Sequence, residues 1–261
     1  MVTAIIGHLL AVCIGLSLGL MGGGGSVLAV PILIYVMGLS PKVAIAMSLI
    51  IVGTVSLIGA IPHWLQGNVN LKTVTIFTPA AMLGAYFGAK LTSLPFITDT
   101  FQLICFGIVM LLASILMIRK GSKKTKPNHL LARGKSNYRS GRQQHWLVLP
   151  IEGLGVGIIT GFVGVGGGFL IVPALVLLGG IPIKKAIGTS LLIIVFNSAA
   201  GFLGYLSHVD LDWQLMISFT LAAALGTISG AYLSKFIKSK QLEKGFGYFV
   251  LAVAVFVLIK R

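Results

Sequence analysis

Acidic side chains are nearly absent from this sequence. Only five of its 261 residues are Asp or Glu, against 20 Lys and Arg, which leaves a formal net charge of +15. Charged residues make up 10% of the chain, whereas soluble domains carry roughly 25%. With 56% hydrophobic residues and a mean hydropathy of +1.01, the chain has too few polar side chains to cover a water-exposed surface. The composition excludes an ordinary soluble domain and favours a membrane protein.

Residue groups that support catalysis or metal binding are also missing from the sequence. It has no HExxH motif, no pair of carboxylates within an apolar run and no Cys–His pair at a plausible spacing. The two cysteines, Cys13 and Cys105, lie in apolar runs, where reduced thiols commonly act as small packing residues. We therefore expect a protein that is not an enzyme and that needs neither a metal nor another cofactor.

Positive charge is concentrated in one polar stretch. Nine of the 20 basic residues lie between Arg119 and Arg142, a stretch that contains no acid. A basic protein can bind nucleic acid, but basic residues gathered between apolar segments are typical of a cytoplasmic loop. We therefore predict a basic linker over 119–145 that lies near anionic lipid headgroups, and no nucleic-acid partner.

Apolar runs occupy the chain on both sides of this linker. A helix needs about 20 residues to cross a bilayer core of about 30 Å. The runs predict an all-α integral membrane protein with about four hydrophobic helices in each of two segments, 1–118 and 146–261. Two runs, 27–37 and 169–178, are too short to span, and each follows a glycine cluster. Each is therefore predicted to be the second half of a helix that is broken at those glycines.

The two apolar segments are similar in sequence. Shifting the chain by 142 residues aligns 22–91 with 164–233 without a gap, and 25 of the 70 positions are identical. Shared hydrophobicity does not readily align glycines, prolines and lysines in register, yet Pro31 matches Pro173 and Lys42 matches Lys184. These identities indicate a gene duplication, and paired repeats are common among transporters.

The sequence is compatible with two membrane topologies of the two halves, parallel or inverted. If each half crosses four times, the halves are parallel; if each broken helix returns to its own side, the halves are inverted. With the linker inside, the parallel arrangement puts 12 Lys and Arg inside and eight outside, whereas the inverted one puts 16 inside and four outside. The positive-inside rule favours inverted repeats, although the apolar run 147–163 is nearly long enough to span alone.

Candidate binding groups lie at the glycine clusters and in the segments that follow them. A helix that starts after a break presents unpaired N–H groups and the positive end of its dipole, which favours an anion. The paired segments AIAMS (44–48) and AIGTS (186–190) add hydroxyl donors. Glycines also allow close helix packing, and hydroxyls often bond their own helix, so each group has a structural alternative. The candidate substrate-binding residues are Gly24, Gly25, Ser26, Ser48, Gly166, Gly167, Gly168, Thr189, Ser190 and Asn197.

Ionisable residues within apolar runs are candidates for coupling transport to an ion. Glu152 lies early in its run, and proton coupling competes there with an interfacial ion pair to a linker cation. His63 and His208 lie near predicted helix ends, where solvated or capping histidines are commoner than proton relays.

The repeated glycine cluster followed by VLAVP and FLIVP, and then by AIAMS and AIGTS, resembles the TauE/SafE family of sulfite-exporter-like membrane proteins. The resemblance covers almost the whole chain. The first half departs from the second at Ala46 and Met47, which replace Gly188 and Thr189. Membership would imply a multi-pass permease of a bacterial inner (plasma) membrane.

The cargos proposed for that family are sulfur-containing anions such as sulfite, sulfoacetate or other organosulfonates. The expected partner is therefore a small anionic solute, moved by uniport or by proton-linked transport. An anion channel is the main alternative, and an intramembrane enzyme is a weaker one. The sequence leaves open the direction of transport and whether the protein forms a homo-oligomer.

Overall fold

The computed structural model describes residues 2–92, 99–122, 148–163, 168–205 and 211–259. The candidate residues Gly166 and Gly167 lie outside these ranges, as do His208 and most of the basic linker. Within them the regular secondary structure is α-helical. The helices are α1 (Val2–Met21), α2 (Gly24–Tyr35), α3 (Pro41–Leu65), α4 (Leu71–Leu91), α5 (Asp99–Ser122), α6 (Val148–Val163), α7 (Gly168–Leu177), α8 (Ile183–Tyr205), α9 (Trp213–Ser234) and α10 (Ser239–Ile259).

Five helices in the described ranges are long and apolar enough to cross a membrane, namely α3, α4, α8, α9 and α10. Their outward faces carry large apolar side chains, such as Leu83 and Leu225, which are more than half exposed. Such faces are stable in lipid, where no water has to be excluded from them. The prediction of an all-α protein with several membrane-spanning helices is confirmed.

Helices α1 and α2 form an antiparallel hairpin. Gly7, near the start of α1, lies against the sulfur of Met37, just beyond the end of α2. At the opposite end, Gly25 lies directly against the α1 backbone. The chain reverses at Gly22 and Gly23, and Gly22 has φ 71°, in the left-handed region that favours glycine. Helix α2 therefore returns toward the side on which α1 begins.

Helix α1 packs in parallel against α9, and α6 packs in parallel against α4. In both pairs the contacts advance in the same direction along the two chains. Glycine is required because an added Cβ would overlap a backbone atom of the partner helix, and such small-residue contacts are the usual route to close packing in membranes. The glycines involved are Gly15, Gly19, Gly226 and Gly230 for α1 and α9, and Gly84, Gly88, Gly157 and Gly161 for α4 and α6.

Helices α3 and α8 run antiparallel to each other through the centre of the protein. Gly53 of α3 lies against Ser198 of α8, whereas Leu49, one turn earlier on α3, lies against Gly201 further along α8. Helices α5 and α10 are antiparallel in the same way. The inward faces of the helices form one apolar core, whose largest fully buried side chains include Phe77 of α4, Phe169 of α7, Phe219 of α9 and Phe246 of α10.

The helix directions define two sides of the protein. The Nζ of Lys184 donates to the carbonyl oxygen of Lys235 at 3.1 Å, so α8 begins on the side where α9 ends. Because α3 is antiparallel to α8, it ends on that side as well. Helix α10 begins there directly after α9, and its antiparallel partner α5 therefore ends there. The basic linker thus starts from the side that carries Lys184 and Lys235, which we call the linker side.

The close approach of α6 to α4 can be tested with two glycines on the same helix. We expect Gly157→Ala to lower the free energy of unfolding by about 1–3 kcal/mol, because the new methyl group meets the Ala81 carbonyl. Gly155 has open space around it, so Gly155→Ala should leave stability unchanged or raise it by up to about 1 kcal/mol through helix propensity. Reversible unfolding in mixed detergent micelles measures both variants, and equal effects would contradict the packing.

Candidate functional site

The turn between α1 and α2 lies where the starts of two short helices meet. Gly23 lies directly against the backbone of Gly168, the first residue of α7. On its other side, Gly22 contacts the backbone of Ile187 and the hydroxyl of Ser190, both in the first turns of α8. A Cβ at Gly22 or Gly23 would overlap these neighbours. Glycine at the turn therefore allows α1, α2, α7 and α8 to converge.

Three backbone carbonyls at this turn accept hydrogen bonds from buried side chains. In a bilayer a carbonyl without a donor costs several kcal/mol, so a helix can end there only if donors are supplied. The donors come from three different helices, two of them distant in sequence. The pairs are His63 Nε2 to Gly19 O at 2.9 Å, Ser190 Oγ to Gly22 O at 2.9 Å and Ser26 Oγ to Gly23 O at 2.7 Å. Ser190 Oγ also lies 2.8 Å from the carbonyl oxygen of Ile187 in its own helix, so its one hydrogen is shared between two acceptors.

The amide groups at the start of α2 are not matched in this way. Gly23 occupies the N-cap position, and no side chain in the described ranges accepts a hydrogen bond there. By contrast, Asn70 and Asp212 cap α4 and α9 by accepting from the N–H groups three residues later. The first residues of α2 are nevertheless buried. The turn thus combines satisfied acceptors with a buried, uncapped helix start, the arrangement that favours an anion.

Three of the predicted site residues, Gly24, Gly25 and Ser26, form the first turn of α2. The apolar run after the glycines was predicted over 27–37. The helix already begins at Gly24, and the Ser26 hydroxyl donates to the carbonyl of Gly23. Gly24 and Gly25 thus belong to the helix, and their lack of a side chain allows its close contact with α1.

The hydroxyls of Ser48, Thr189 and Ser190 lie in the first turns of α3 and α8. Ser190 reaches the turn directly, as described above. Ser48 donates to the carbonyl of Ile45 at 2.8 Å within its own helix. Thr189 Oγ1 accepts from the N–H of Asn70 at 2.9 Å, which ties the start of α4 to α8. Of these three hydroxyls, the described contacts bring that of Ser190 to the turn.

Asn197 lies further along α8, in its interface with α6. The hydroxyl of Thr160 donates to the carbonyl of Gly157, so its oxygen is free to accept from Asn197 Nδ2 at 3.1 Å. This orients the amide and leaves Asn197 Oδ1 buried without a partner in the described ranges. The neighbouring Ser198 Oγ is also unpartnered there and borders a cavity of about 410 Å³ between α3 and α8. Asn197 therefore belongs to a second polar group rather than to the turn.

Glu152 lies on α6 and is partly exposed. Its Oε2 is buried and has no hydrogen-bond partner within the described ranges. None of the contacts described for the chain joins Glu152 to the turn, nor does any pair it with a cation.

His63 is a site residue that sequence reasoning did not select. It was grouped with His208 among ordinary helix-end histidines, yet it is 1% exposed and contacts both Gly19 and Gly188. The signal available in the sequence was its position within an apolar run that carries no acid. That local pattern does not reveal which helix the imidazole faces. Its partner Gly19 is 44 positions away in the chain, so the contact depends on how α1 and α3 pack together.

Comparison with known proteins identifies the family. The model of the family described as "Sulfite exporter TauE/SafE" matches residues 8–257. A "Probable membrane transporter protein" of Xylella fastidiosa strain 9a5c is 35% identical over 254 residues, which cover 94% of this chain and 91% of the relative. The "Probable membrane transporter protein YdhB" of Bacillus subtilis is 27% identical over 84% of each chain. No solved structure matches significantly. With the family match extending over nearly its whole length, the chain belongs to the TauE/SafE family of membrane transporters.

Proposed function

We propose that this protein transports small sulfur-containing anions, such as sulfite or organosulfonates, and binds them at the start of α2. The observation that carries the proposal is a difference at the turn: backbone carbonyls have side-chain partners, and backbone N–H groups lack them within the described ranges. The carbonyls of Gly19, Gly22 and Gly23 lie within hydrogen-bond distance of side-chain donors, whereas the first turn of α2 is buried and has no side-chain cap. An oxyanion accepts several hydrogen bonds at once and is further stabilised by the positive end of the helix dipole.

The sign of the charge in the surrounding elements supports an anionic cargo. Helices α1, α2, α3 and α7 contain no Asp or Glu, and neither does α8. A cation at the turn would meet the positive helix start without a carboxylate on these helices to stabilise it. An oxyanion would instead meet the N–H groups of the helix start and the positive end of its dipole.

An inverted duplication would place a second buried helix start of this kind in the protein. The sequence alignment pairs α2 with α7, α3 with α8, and α4 with α9. The antiparallel packing of α3 on α8 supports a two-fold axis that lies in the membrane plane, and so does the contact between Gly23 and Gly168. Under this proposal α7 contributes a second helix start to the same site, with Gly166 and Gly167 as its amide donors.

A carrier mechanism fits the packing better than an open channel. The turn glycines lie against neighbouring backbone, and the cavities of about 400 and 410 Å³ that described residues line do not include them. A cargo therefore reaches the turn only when α2, α7 and α8 move relative to one another. Such a carrier saturates with cargo and shows counterflow, whereas a channel would give unitary currents.

The amide of Gly24 offers a direct test of the anion site. Proline is tolerated at the first position of a helix but has no N–H. We expect Gly24→Pro to weaken sulfite binding by about 10-fold or more, the value of one hydrogen bond to a charged group. The measurement is the sulfite-dependent rise of the unfolding temperature in detergent, together with radiolabelled sulfite flux from reconstituted vesicles.

Gly24→Ala is the matched control for this experiment. It adds a Cβ at the same position, close to the ends of the Ser17 and Phe249 side chains, and keeps the N–H. We expect it to bind sulfite several-fold more tightly than Gly24→Pro. Equal binding by the two variants would show that the amides of α2 do not hold the anion.

The side-chain donors to the carbonyls of the turn give a second test. Ser190→Ala leaves the carbonyl of Gly22 without its side-chain donor, so we expect a loss of about 1 kcal/mol or more in the free energy of unfolding. Ser114→Ala is the control, because Ser114 is equally buried and makes the same contact within its own helix, to the carbonyl of Leu111, that Ser190 makes to the carbonyl of Ile187 in addition to its contact with Gly22. If both variants lose the same stability, the Ser190 bond does not hold the turn.

A further inference from the structure

His63 presents a buried nitrogen that can accept a proton. Its Nε2 lies 2.9 Å from the carbonyl oxygen of Gly19, and a carbonyl can only accept, so Nε2 carries the hydrogen. The other ring nitrogen, Nδ1, is buried and has no hydrogen-bond partner in the described ranges. The imidazole therefore holds a lone pair inside the protein, in a side chain that is 1% exposed.

The position of His63 connects the turn with the linker side. Its side chain lies against Gly188 of α8, two residues from Ser190. Its own carbonyl accepts from the N–H of Asn68, in the loop that leads to α4. The ring of His63, which belongs to α3, thus lies between the end of α1 and the linker side. It donates the hydrogen bond to Gly19 at the turn.

The elements packed around His63 carry cations but no carboxylate. Helices α1, α2, α3, α4, α8 and α9 contain no Asp or Glu, and neither does the loop 66–70. The ionisable groups on these elements are His8, Cys13, Tyr35, Lys42, Lys72, Tyr86, Lys90, Lys184, Lys185, Tyr205, Tyr232 and, at the end of α9, Lys235. Asp212 caps the start of α9, at the opposite end of that helix from Lys235. An imidazolium at this position would therefore be a buried charge without a fixed counterion, which is strongly unfavourable.

An anion at the turn would supply the missing counterion. We propose that His63 binds a proton together with the cargo, so that a monovalent anion and one proton move as an electroneutral pair. The inference rests on the proposed transport function. Binding of either partner then favours binding of the other, by the reciprocity of linked equilibria.

The proton balance of this cycle is simple. A proton from water on the loading side bonds to the Nδ1 lone pair, while Nε2–H remains on the carbonyl of Gly19. After the anion leaves on the opposite side, the imidazolium loses its counterion and Nδ1–H returns its proton to water. The cycle consumes no other reactant, and its driving forces are the gradients of anion and proton.

Vesicles containing the purified protein and radiolabelled sulfite test the proposal, at a pH where hydrogensulfite dominates. With the voltage clamped at zero, an acidic loading side should drive sulfite accumulation in the wild-type protein. Gln can donate to the Gly19 carbonyl but cannot take up a proton at this pH. We expect His63→Gln to reduce the pH-driven accumulation by about 10-fold, within the usual range of coupling between sites.

His8→Gln is the matched control, since His8 lies near the opposite end of α1, with Nε2 3.0 Å from Ser218 Oγ. It should accumulate sulfite as the wild type does. Changes in sulfite speciation with pH affect all three proteins equally. If His63→Gln retains the wild-type response to the pH gradient, the proposal is wrong.

A measurement on the wild type alone covers the case in which His63→Gln does not fold. Without a pH gradient, an imposed voltage should leave sulfite flux unchanged, because the loaded pair carries no net charge. Flux that follows the voltage as one negative charge would overturn the role of His63 while leaving the transport function intact. A wild-type protein that moves no sulfite under any gradient would instead contradict the proposed function itself.

Discussion

The structure depends on one constraint, which is that backbone polar groups inside a bilayer must find partners within the protein. Helix α1 ends at Met21 and the chain reverses at two buried glycines. His63 donates to the carbonyl of Gly19 in the last turn of α1, and Ser190 and Ser26 lie within hydrogen-bond distance of the carbonyls of Gly22 and Gly23. Within the described ranges no side chain caps the start of the following helix, and the site proposed for the anion rests on that difference.

Close packing at glycines brings the helices near enough for these hydrogen-bond partners to meet. Lipid tails are as apolar as leucine, so helices in a membrane gain little from the hydrophobic effect and depend on van der Waals contact and hydrogen bonds. The glycine interfaces of α1 with α9 and of α6 with α4 hold the outer helices at backbone contact. The same type of contact at Gly23 and Gly168 brings the two short helices together. A transport cycle that opens the contact between Gly23 and Gly168 loses van der Waals contact there, and binding of the solute offsets that loss.

The scarcity of acids connects composition with mechanism. A buried helix start and a buried imidazole both favour negative charge nearby, and helices α1, α2, α3, α7 and α8 contain no carboxylate that would compete with a solute. The helix α10, which also contacts the start of α2, contains Glu243. Charge neutralisation inside the protein is then left to the cargo. A proton on His63 would complete that neutralisation, which links the pH gradient to anion movement without a separate ion site.

Much of the architecture could be predicted from the sequence, because apolar runs of spanning length and clustered glycines have direct physical meanings in lipid. The all-α membrane fold and the TauE/SafE family were predicted and are confirmed. The duplication, the cargo and the role of Glu152 remain predictions. The site residues remain predictions as well, Asn197 among them. The start of α2 at Gly24, ahead of the predicted run 27–37, shows where residue patterns stop being informative.

The sequence by itself determined the all-α class and the presence of several helices apolar enough to cross a membrane, since both follow from local hydropathy. Only the tertiary structure decided which side chains complete the turn. Ser190 reaches a carbonyl 168 positions away, and His63 reaches one 44 positions away. Such partners depend on how whole helices are rotated and offset against one another, a property of the packed assembly that local sequence does not encode.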